Sequence, residues 1–139
     1  MITLEEALLM EIKAPQEPQR MIELIAPLYA RSERGAISLE PFPETQLKEG
    51  DVSPDPDISL YDNLLSEPPV IIEITHTGGV HSDKLKVRRL IEADERGIVE
   101  GFVYDYKKNE WHKYEKGTGK VPQNPSFCDT LHLDLATLL

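Results

Sequence analysis

Apolar positions near the start of the chain recur at the spacing of a helix. Residues 18–34 carry four of them on one helical face, and these are Met21, Leu24, Ile25 and Leu28. Pro27 lies inside this pattern and predicts that the helix is kinked or split there. Gly35 follows the last apolar turn, so we expect the helix to end at this glycine. A shorter amphipathic helix is predicted over residues 1–13.

Further along, apolar and polar residues alternate with the period of a β-strand. This alternation predicts five strands, over residues 36–42, 57–62, 70–76, 98–106 and 111–115. A second helix is expected between the third and fourth strands, with Ser82 or Asp83 as its cap. It should run to about Arg96, where Gly97 ends it. Its apolar stripe consists of Val87, Leu90 and Ile91.

The predicted order of elements is helix, three strands, helix and two strands. This order is typical of a mixed α/β fold, with a short strand, a turn and an apolar tail closing the chain. A length of 139 residues suits one domain. We expect residues 1–35 to form leading helices and residues 36–139 to form the core of that domain.

The charge of the chain narrows the choice of partners. Its net charge of −10 disfavours non-specific binding to nucleic acid, because phosphate contacts need a basic surface. Four basic residues nevertheless fall between Lys84 and Arg89 on the second predicted helix. Such a cluster could meet a phosphate backbone, and it is also typical of a solvated helix face.

Cysteine usage and hydropathy indicate the compartment. Cys128 is the only cysteine, which excludes an internal disulfide and favours a reducing environment. The chain has no apolar run near the ~20 residues of a membrane span, and its acidic start lacks the order of a signal peptide. We therefore expect a cytoplasmic protein that does not enter a membrane.

Two carboxylates on adjacent predicted strands are the first candidates for chemistry. Asp57 begins one strand, and Glu73 interrupts the apolar run of the next. A carboxylate in a central strand is costly unless it is paired, hydrogen-bonded or bound to a metal. Side by side, the two would offer hard oxygen ligands for Mg²⁺. The alternative is that Glu73 faces solvent from a half-exposed strand, which strand alternation also permits.

Basic and histidine side chains follow this strand directly. Lys84 and Lys86 fall on opposite flanks of the second helix's apolar stripe. Either lysine could bring its ammonium group over the end of the Glu73 strand. The alternative is that both are ordinary surface lysines that extend into solvent. His76 and His81 lie in the intervening turn. They lack the further ligands that a zinc site needs, so we expect them to bond backbone or approach substrate.

In this order, the residues resemble a known nuclease pattern. The chain is similar to the PD-(D/E)xK nuclease superfamily and, more narrowly, to the bacterial Uma-two family of restriction-endonuclease-like proteins. The matching segments are PDISLYD, VIIEITHT, the basic helix after Ser82 and Asp83, GIVEGFVYDYKKNEWHKY and the closing LHLDLATLL. They fall within residues 36–139, whereas residues 1–35 match only as generic leading helices.

The resemblance implies a restriction-endonuclease-like core that uses Mg²⁺ or Mn²⁺ to hydrolyse nucleic-acid phosphodiester bonds, with DNA as the expected substrate. Asp57 and Glu73 would be the metal carboxylates, and Lys86 or Lys84 would assist the attacking water. The superfamily's lysine normally stands two residues after the second carboxylate, where this chain has Thr75. Either the lysine has moved to the helix or activity is lost.

Further roles follow from the same resemblance. Thr75, His76 and Arg89 are candidate substrate contacts, and Arg89 is near the place where the family's helix often carries its lysine. A glutamate of the leading helices, Glu23 or Glu11, could join the metal site. Cutting a duplex usually takes two sites, so we expect a homodimer. The alternative function is that of a catalytically degenerate nuclease fold acting as a binding or assembly module.

Overall fold

The computed structural model describes residues 16–43, 56–93, 96–117 and 122–139. Its helices are α1 (Gln16–Glu33) and α2 (Val80–Glu92). Its strands are β1 (Glu40–Pro43), β2 (Ile58–Asp62), β3 (Glu67–Thr75), β4 (Glu100–Asp105), β5 (Glu110–Glu115), β6 (Phe127–Cys128) and β7 (Leu133–Asp134). Within these ranges the predicted order of helix, three strands, helix and two strands is confirmed. The helix predicted over residues 1–13 lies outside the described residues.

Five strands form one mixed sheet in the order β1-β2-β3-β4-β5. Neighbouring strands are antiparallel except β3 and β4, which run parallel. A parallel pair needs a crossover connection, and α2 provides it. The predicted mixed α/β fold is therefore confirmed. The order of the strands also brings the start of β2 beside the end of β3, where the candidate carboxylates lie.

A helix covers each face of the sheet. The apolar face of α1 packs against side chains such as Ile58, Ile72 and Phe102. The stripe of α2 packs against Ile71 and Val103 on the opposite face. Because successive side chains of a strand alternate between the faces, both faces of β3 are buried. Both faces of the sheet are therefore closed to water at its centre.

The first helix differs from its prediction at one point and agrees with it at another. Pro27 lies inside α1, and the helix continues to Glu33, so the expected split is wrong. Gly35 ends the helix with φ +74°, and the Ala36 N–H donates to the Arg31 carbonyl oxygen at 2.8 Å. This hydrogen bond is a helix-ending motif that favours glycine. Because Ala36 belongs to it, the first strand begins at Glu40 rather than at residue 36.

The second helix begins earlier and ends sooner than predicted. A short 3-10 turn over Thr77–Gly79 leads directly into Val80, so neither Ser82 nor Asp83 is the cap. At its other end the helix stops at Glu92, although the sequence pattern extended it to about Arg96. In the described ranges neither α1 nor α2 is long and apolar enough to cross a membrane.

Candidate active site

Asp57 and Glu73 meet at one end of the sheet. The antiparallel register pairs Ile58 with Ile72, which sets Asp57 opposite Glu73. The Asp57 N–H donates to Glu73 Oε1 at 3.3 Å, and the Ile74 N–H donates to Asp57 Oδ2 at 2.8 Å. The two carboxylates predicted to converge are therefore neighbours, and backbone hydrogen bonds fix their positions.

Glu73 is buried and does not face solvent. Its exposed fraction is 2%, because it shares the face of β3 that α2 covers. The alternative of a solvent-facing glutamate is therefore wrong. Burial and, after it, the nearby Asp57 charge raise the pKa of Glu73 to about 8, against the opposing effect of Lys86. The fold thus holds two carboxyl groups together at an energetic cost.

Lys86 and Lys84 occupy different places, which the sequence left open. Lys86 Nζ lies 2.8 Å from Glu73 Oε1, and its side chain is largely buried. Lys84 is exposed and lines a groove on the other flank of α2, beside His112. Residues two apart on a helix differ by about 200° in direction, so both lysines cannot reach one point. The structure therefore brings Lys86, and not Lys84, to the carboxylate pair.

Asp83 is a third carboxylate beside the pair. The sequence argument placed it at the start of the basic helix, as a possible cap and as part of the matching pattern, but gave it no role in the site. Burial raises the pKa of Asp83, and the charge of Asp57 adds to this effect, whereas a hydrogen bond from Thr75 and the charge of Lys86 lower it. Asp83 and Lys86 are three residues apart on one helix, so they share a flank. That spacing, once Lys86 is placed beside Glu73, also places Asp83 beside the pair.

Thr75 packs at the turn between β3 and α2. It is buried, and its hydroxyl donates to the His76 carbonyl oxygen at 3.1 Å as well as interacting with Asp83. A side chain on Gly79 would overlap the Thr75 hydroxyl, so glycine permits this close approach. Thr75 therefore supplies a buried hydroxyl group that fixes the start of α2.

The other candidates lie around this cluster or away from it. His76 is exposed, and its Nδ1 accepts the Gly78 N–H at 3.1 Å, which confirms that it bonds backbone. Arg89 is exposed on α2, one turn beyond Lys86. Glu23 is paired with Arg20 at 2.8 Å on α1, which covers the opposite face of the sheet, so Glu23 does not join the cluster. Glu11 lies outside the described residues.

A second acidic cluster was missed by the sequence argument. Glu100, Glu115 and Asp129 offer ligand atoms within 4.8 Å of one another, the closeness that a metal ion requires, and they are the one such triad in the described ranges. Lys113 Nζ lies among them, at 2.9, 2.8 and 2.8 Å respectively. Its buried ammonium group already supplies the cation that this triad attracts.

This second cluster fastens the end of the chain to the sheet. Burial is the largest influence on Glu100 and raises its pKa, but hydrogen bonds from Thr130, Lys113 and the backbone together hold that pKa below its usual value. The N–H groups of Asp129 and Thr130 donate to Glu100 at 2.9 and 2.7 Å. Because its partners are spread over thirty positions, spacing along the sequence gave no sign of the cluster.

Comparison with known proteins adds no family assignment. Neither a protein-family model nor a curated protein sequence matches this chain. The resemblance to the Uma-two family therefore stays a prediction, and the functional argument depends on the geometry of the site.

Proposed function

We propose that this protein is a Mg²⁺- or Mn²⁺-dependent nuclease that hydrolyses phosphodiester bonds, with DNA as substrate. The observation that carries the proposal is the Asp57–Glu73 pair with Lys86 Nζ at 2.8 Å from Glu73 Oε1. Asp57 lies just before β2, Glu73 lies in β3 and Lys86 lies in α2, and the three come together at one end of the sheet. Their order along the chain agrees with the resemblance to PD-(D/E)xK nucleases.

The residues of the pair fit a divalent metal ion. Mg²⁺ is commonly held by one or two carboxylates, with waters and substrate phosphate completing its shell. A bound cation would relieve the repulsion and burial that raise the pKa of Glu73. The hydroxyl of Ser59, on the same face of the sheet, is buried and has no hydrogen-bond partner among the described residues. It offers one more polar atom to such a shell.

The ion would supply Lewis-acid polarisation of the phosphoryl oxygen and a more acidic bound water. The chain itself would supply position and charge. Asp57 is fixed by the Ile74 N–H, and Glu73 is fixed by the Asp57 N–H. Lys86 would stabilise the negative charge that develops on the phosphate during attack. It reaches the pair from α2, which supports a displaced role for the superfamily's lysine.

Local charge supports an anionic substrate, although the whole chain is acidic. Lys84, Lys86, Arg88 and Arg89 all lie on α2, the helix that covers the carboxylate pair. A phosphate backbone approaching this helix would meet these charges before the acidic remainder of the chain. Cleavage of both strands of a duplex would require two copies of the site, so the proposal includes a homodimer.

A matched pair of lysine variants tests the proposal. Plasmid nicking is measured with Mg²⁺, with Mn²⁺ and with a chelator, for the wild type, Lys86→Met and Lys116→Met. Lys116 is exposed just beyond β5, away from the pair. We expect metal-dependent nicking that falls about 10²-fold in Lys86→Met and stays near the wild-type rate in Lys116→Met. Equal rates for both variants would contradict the role of Lys86.

Metal binding is measured separately by calorimetric titration with Mn²⁺. The double variant Asp57→Asn/Glu73→Gln should lose the Mn²⁺ binding that the wild type shows. Equal binding by both proteins would contradict a metal site at these two residues.

Thr75 at the lysine position favours a second candidate function, that of a degenerate nuclease fold that serves as a binding module. Metal and nucleic-acid binding without any nicking would select that function.

A further inference from the structure

The first helix, α1, is apolar on two faces. Its inner face packs into the core through residues such as Leu24 and Leu28. Its outer face borders a groove of about 490 Å³, lined by Pro18, Met21, Ile22, Ile25, Ala26, Tyr29 and Pro43. Ile22 and Tyr29 keep exposed fractions of 67% and 47% there. Because a helix that is apolar all round is normally buried all round, the outer face has the character of a contact surface.

This outer face carries almost no charge. Tyr29 is the one ionisable residue that lines the groove, although 29% of the chain's residues are charged. Arg20 and Glu23 lie on α1 beside the face and neutralise each other at 2.8 Å, and Glu33 lies at the end of the helix. A chain with a net charge of −10 repels a second copy of itself over most of its surface. An uncharged face is therefore the place where two copies can approach.

The edge of the sheet beside this face is unsuited to adding a strand. β1 stands first in the order of strands, so one of its sides has no neighbour within the sheet. Pro41 and Pro43 both lie in β1, and proline has no N–H group to donate to an added strand. A second copy would therefore meet this side of the molecule through α1.

The sizes of the exposed side chains make the face complementary to itself. Ile22 and Tyr29 are seven positions apart, so two helical turns bring them to nearly the same direction. Ala26 lies between them and is small and exposed. When two such helices lie antiparallel around a two-fold axis near Ala26, Ile22 of each copy faces Tyr29 of the partner subunit. The two alanines then let the helices approach closely at the centre.

We propose that the outer face of α1 binds a second copy of this chain, with the two helices antiparallel around a two-fold axis. α1 has 18 residues and is about 27 Å long, and with β1 beside it the patch is roughly 20 Å wide. An area of roughly 540 Å² per copy lies toward the small end of specific interfaces, so we expect a dimer of micromolar affinity. The nuclease proposal requires two copies without saying where they meet. This inference therefore goes beyond it, and its test measures no cleavage.

Sedimentation equilibrium of the full-length chain tests the proposal. The wild type is compared, over about 1–500 µM, with two variants that each replace an exposed apolar residue by lysine. Ile22→Lys changes the outer face, and Leu64→Lys changes the turn between β2 and β3, where the leucine is 96% exposed. We expect Ile22→Lys to weaken dimerisation at least about thirtyfold, because each dimer contains the change twice. Leu64→Lys should match the wild type, and equal weakening by both variants would overturn the proposal.

A mixture of two variants tests the antiparallel arrangement. Ile22→Lys and Tyr29→Glu should each dimerise weakly alone, but in a mixed pair the new ammonium group faces the new carboxylate. With one variant fluorescently labelled, we expect the mixture to associate at least about tenfold more tightly than either variant alone. A mixture of Ile22→Lys with Tyr29→Lys is the matched control and should show no recovery. Absence of recovery in the first mixture would overturn the arrangement and with it the proposal.

Two further outcomes would assign the face to another occupant and overturn the proposal. One is a wild type that stays monomeric while Ile22→Lys, but not Leu64→Lys, lowers the free energy of unfolding in urea. This would mean that the same chain covers the face. The other is flotation of the monomeric chain with neutral lipid vesicles, which would mean that the face contacts a lipid surface.

Discussion

The buried Glu73 makes the stability of this protein depend on pH in a way that one substitution isolates. In the metal-free chain, burial and the neighbouring Asp57 charge raise the pKa of Glu73 from its ordinary value of 4.5 to about 8. Between these two pH values the folded chain holds a proton that the unfolded chain has released. The free energy of unfolding should therefore decrease as the pH rises through this window.

The size of the effect follows from the separation of the two pKa values. At roughly 1.4 kcal/mol per pKa unit, a change from 4.5 to about 8 corresponds to about 5 kcal/mol of lost stability at the alkaline end. Glu73→Gln keeps the size and the hydrogen-bonding oxygen of the side chain but cannot ionise. This variant should therefore gain stability relative to the wild type by about 1.4 kcal/mol for each pH unit.

The assay is urea denaturation in a chelating buffer at several pH values between 4.5 and 8, followed by the fluorescence of Trp111, the single tryptophan. The quantity of interest is the difference between the two proteins, because other titrating groups affect both alike. Glu110→Gln, at an exposed glutamate of β5, should show a small and constant difference from the wild type. If the difference for Glu73→Gln is also independent of pH, then Lys86 keeps Glu73 ionised throughout and the reasoning is refuted.

Two further predictions concern the cluster that fastens the end of the chain. Lys113→Met leaves the buried Glu100 without its ammonium partner, so the free energy of unfolding, measured in urea, should decrease by about 3–5 kcal/mol. A decrease below about 1 kcal/mol would contradict this role of Lys113. Burial, and then the charge of Glu100, raises the pKa of the Cys128 thiol to about 12. Cys128 should therefore resist a thiol-specific reagent at neutral pH until urea unfolds the chain, and rapid labelling of the native protein would refute this.

Alternation along a strand predicts which residues share a face but not what covers that face. Ile72 and Ile74 share the face of β3 that packs against α1, as alternation requires of two residues flanking Glu73. The pattern gave no information about the opposite face, because the covering helix comes later in the chain and its own stripe looked no different from that of a surface helix. Only the packing of α2 against Ile71 decides that Glu73 is buried.

Local backbone geometry explains the errors at the ends of elements. The residues Ala36 and Ile37 alternate like a strand, but their N–H groups donate to the Arg31 carbonyl oxygen and complete the end of α1. At α2, a serine and an aspartate looked like caps, but the 3-10 turn before Val80 starts the helix earlier. Hydrogen bonds of this kind join residues that a hydrophobic pattern does not distinguish.

Helix geometry, by contrast, could have decided between the two lysines once the position of β3 was known. Val87 fixes the face of α2 that points to the sheet, and Lys86 lies on the flank of that face toward β2, where Glu73 is paired with Asp57. Lys84 lies on the flank toward β5, beside His112. One helix therefore divides its basic residues between two surfaces. A single charge pattern in the sequence thus corresponds to two separate surfaces, one beside the carboxylate pair and one on the flank of α2 toward β5.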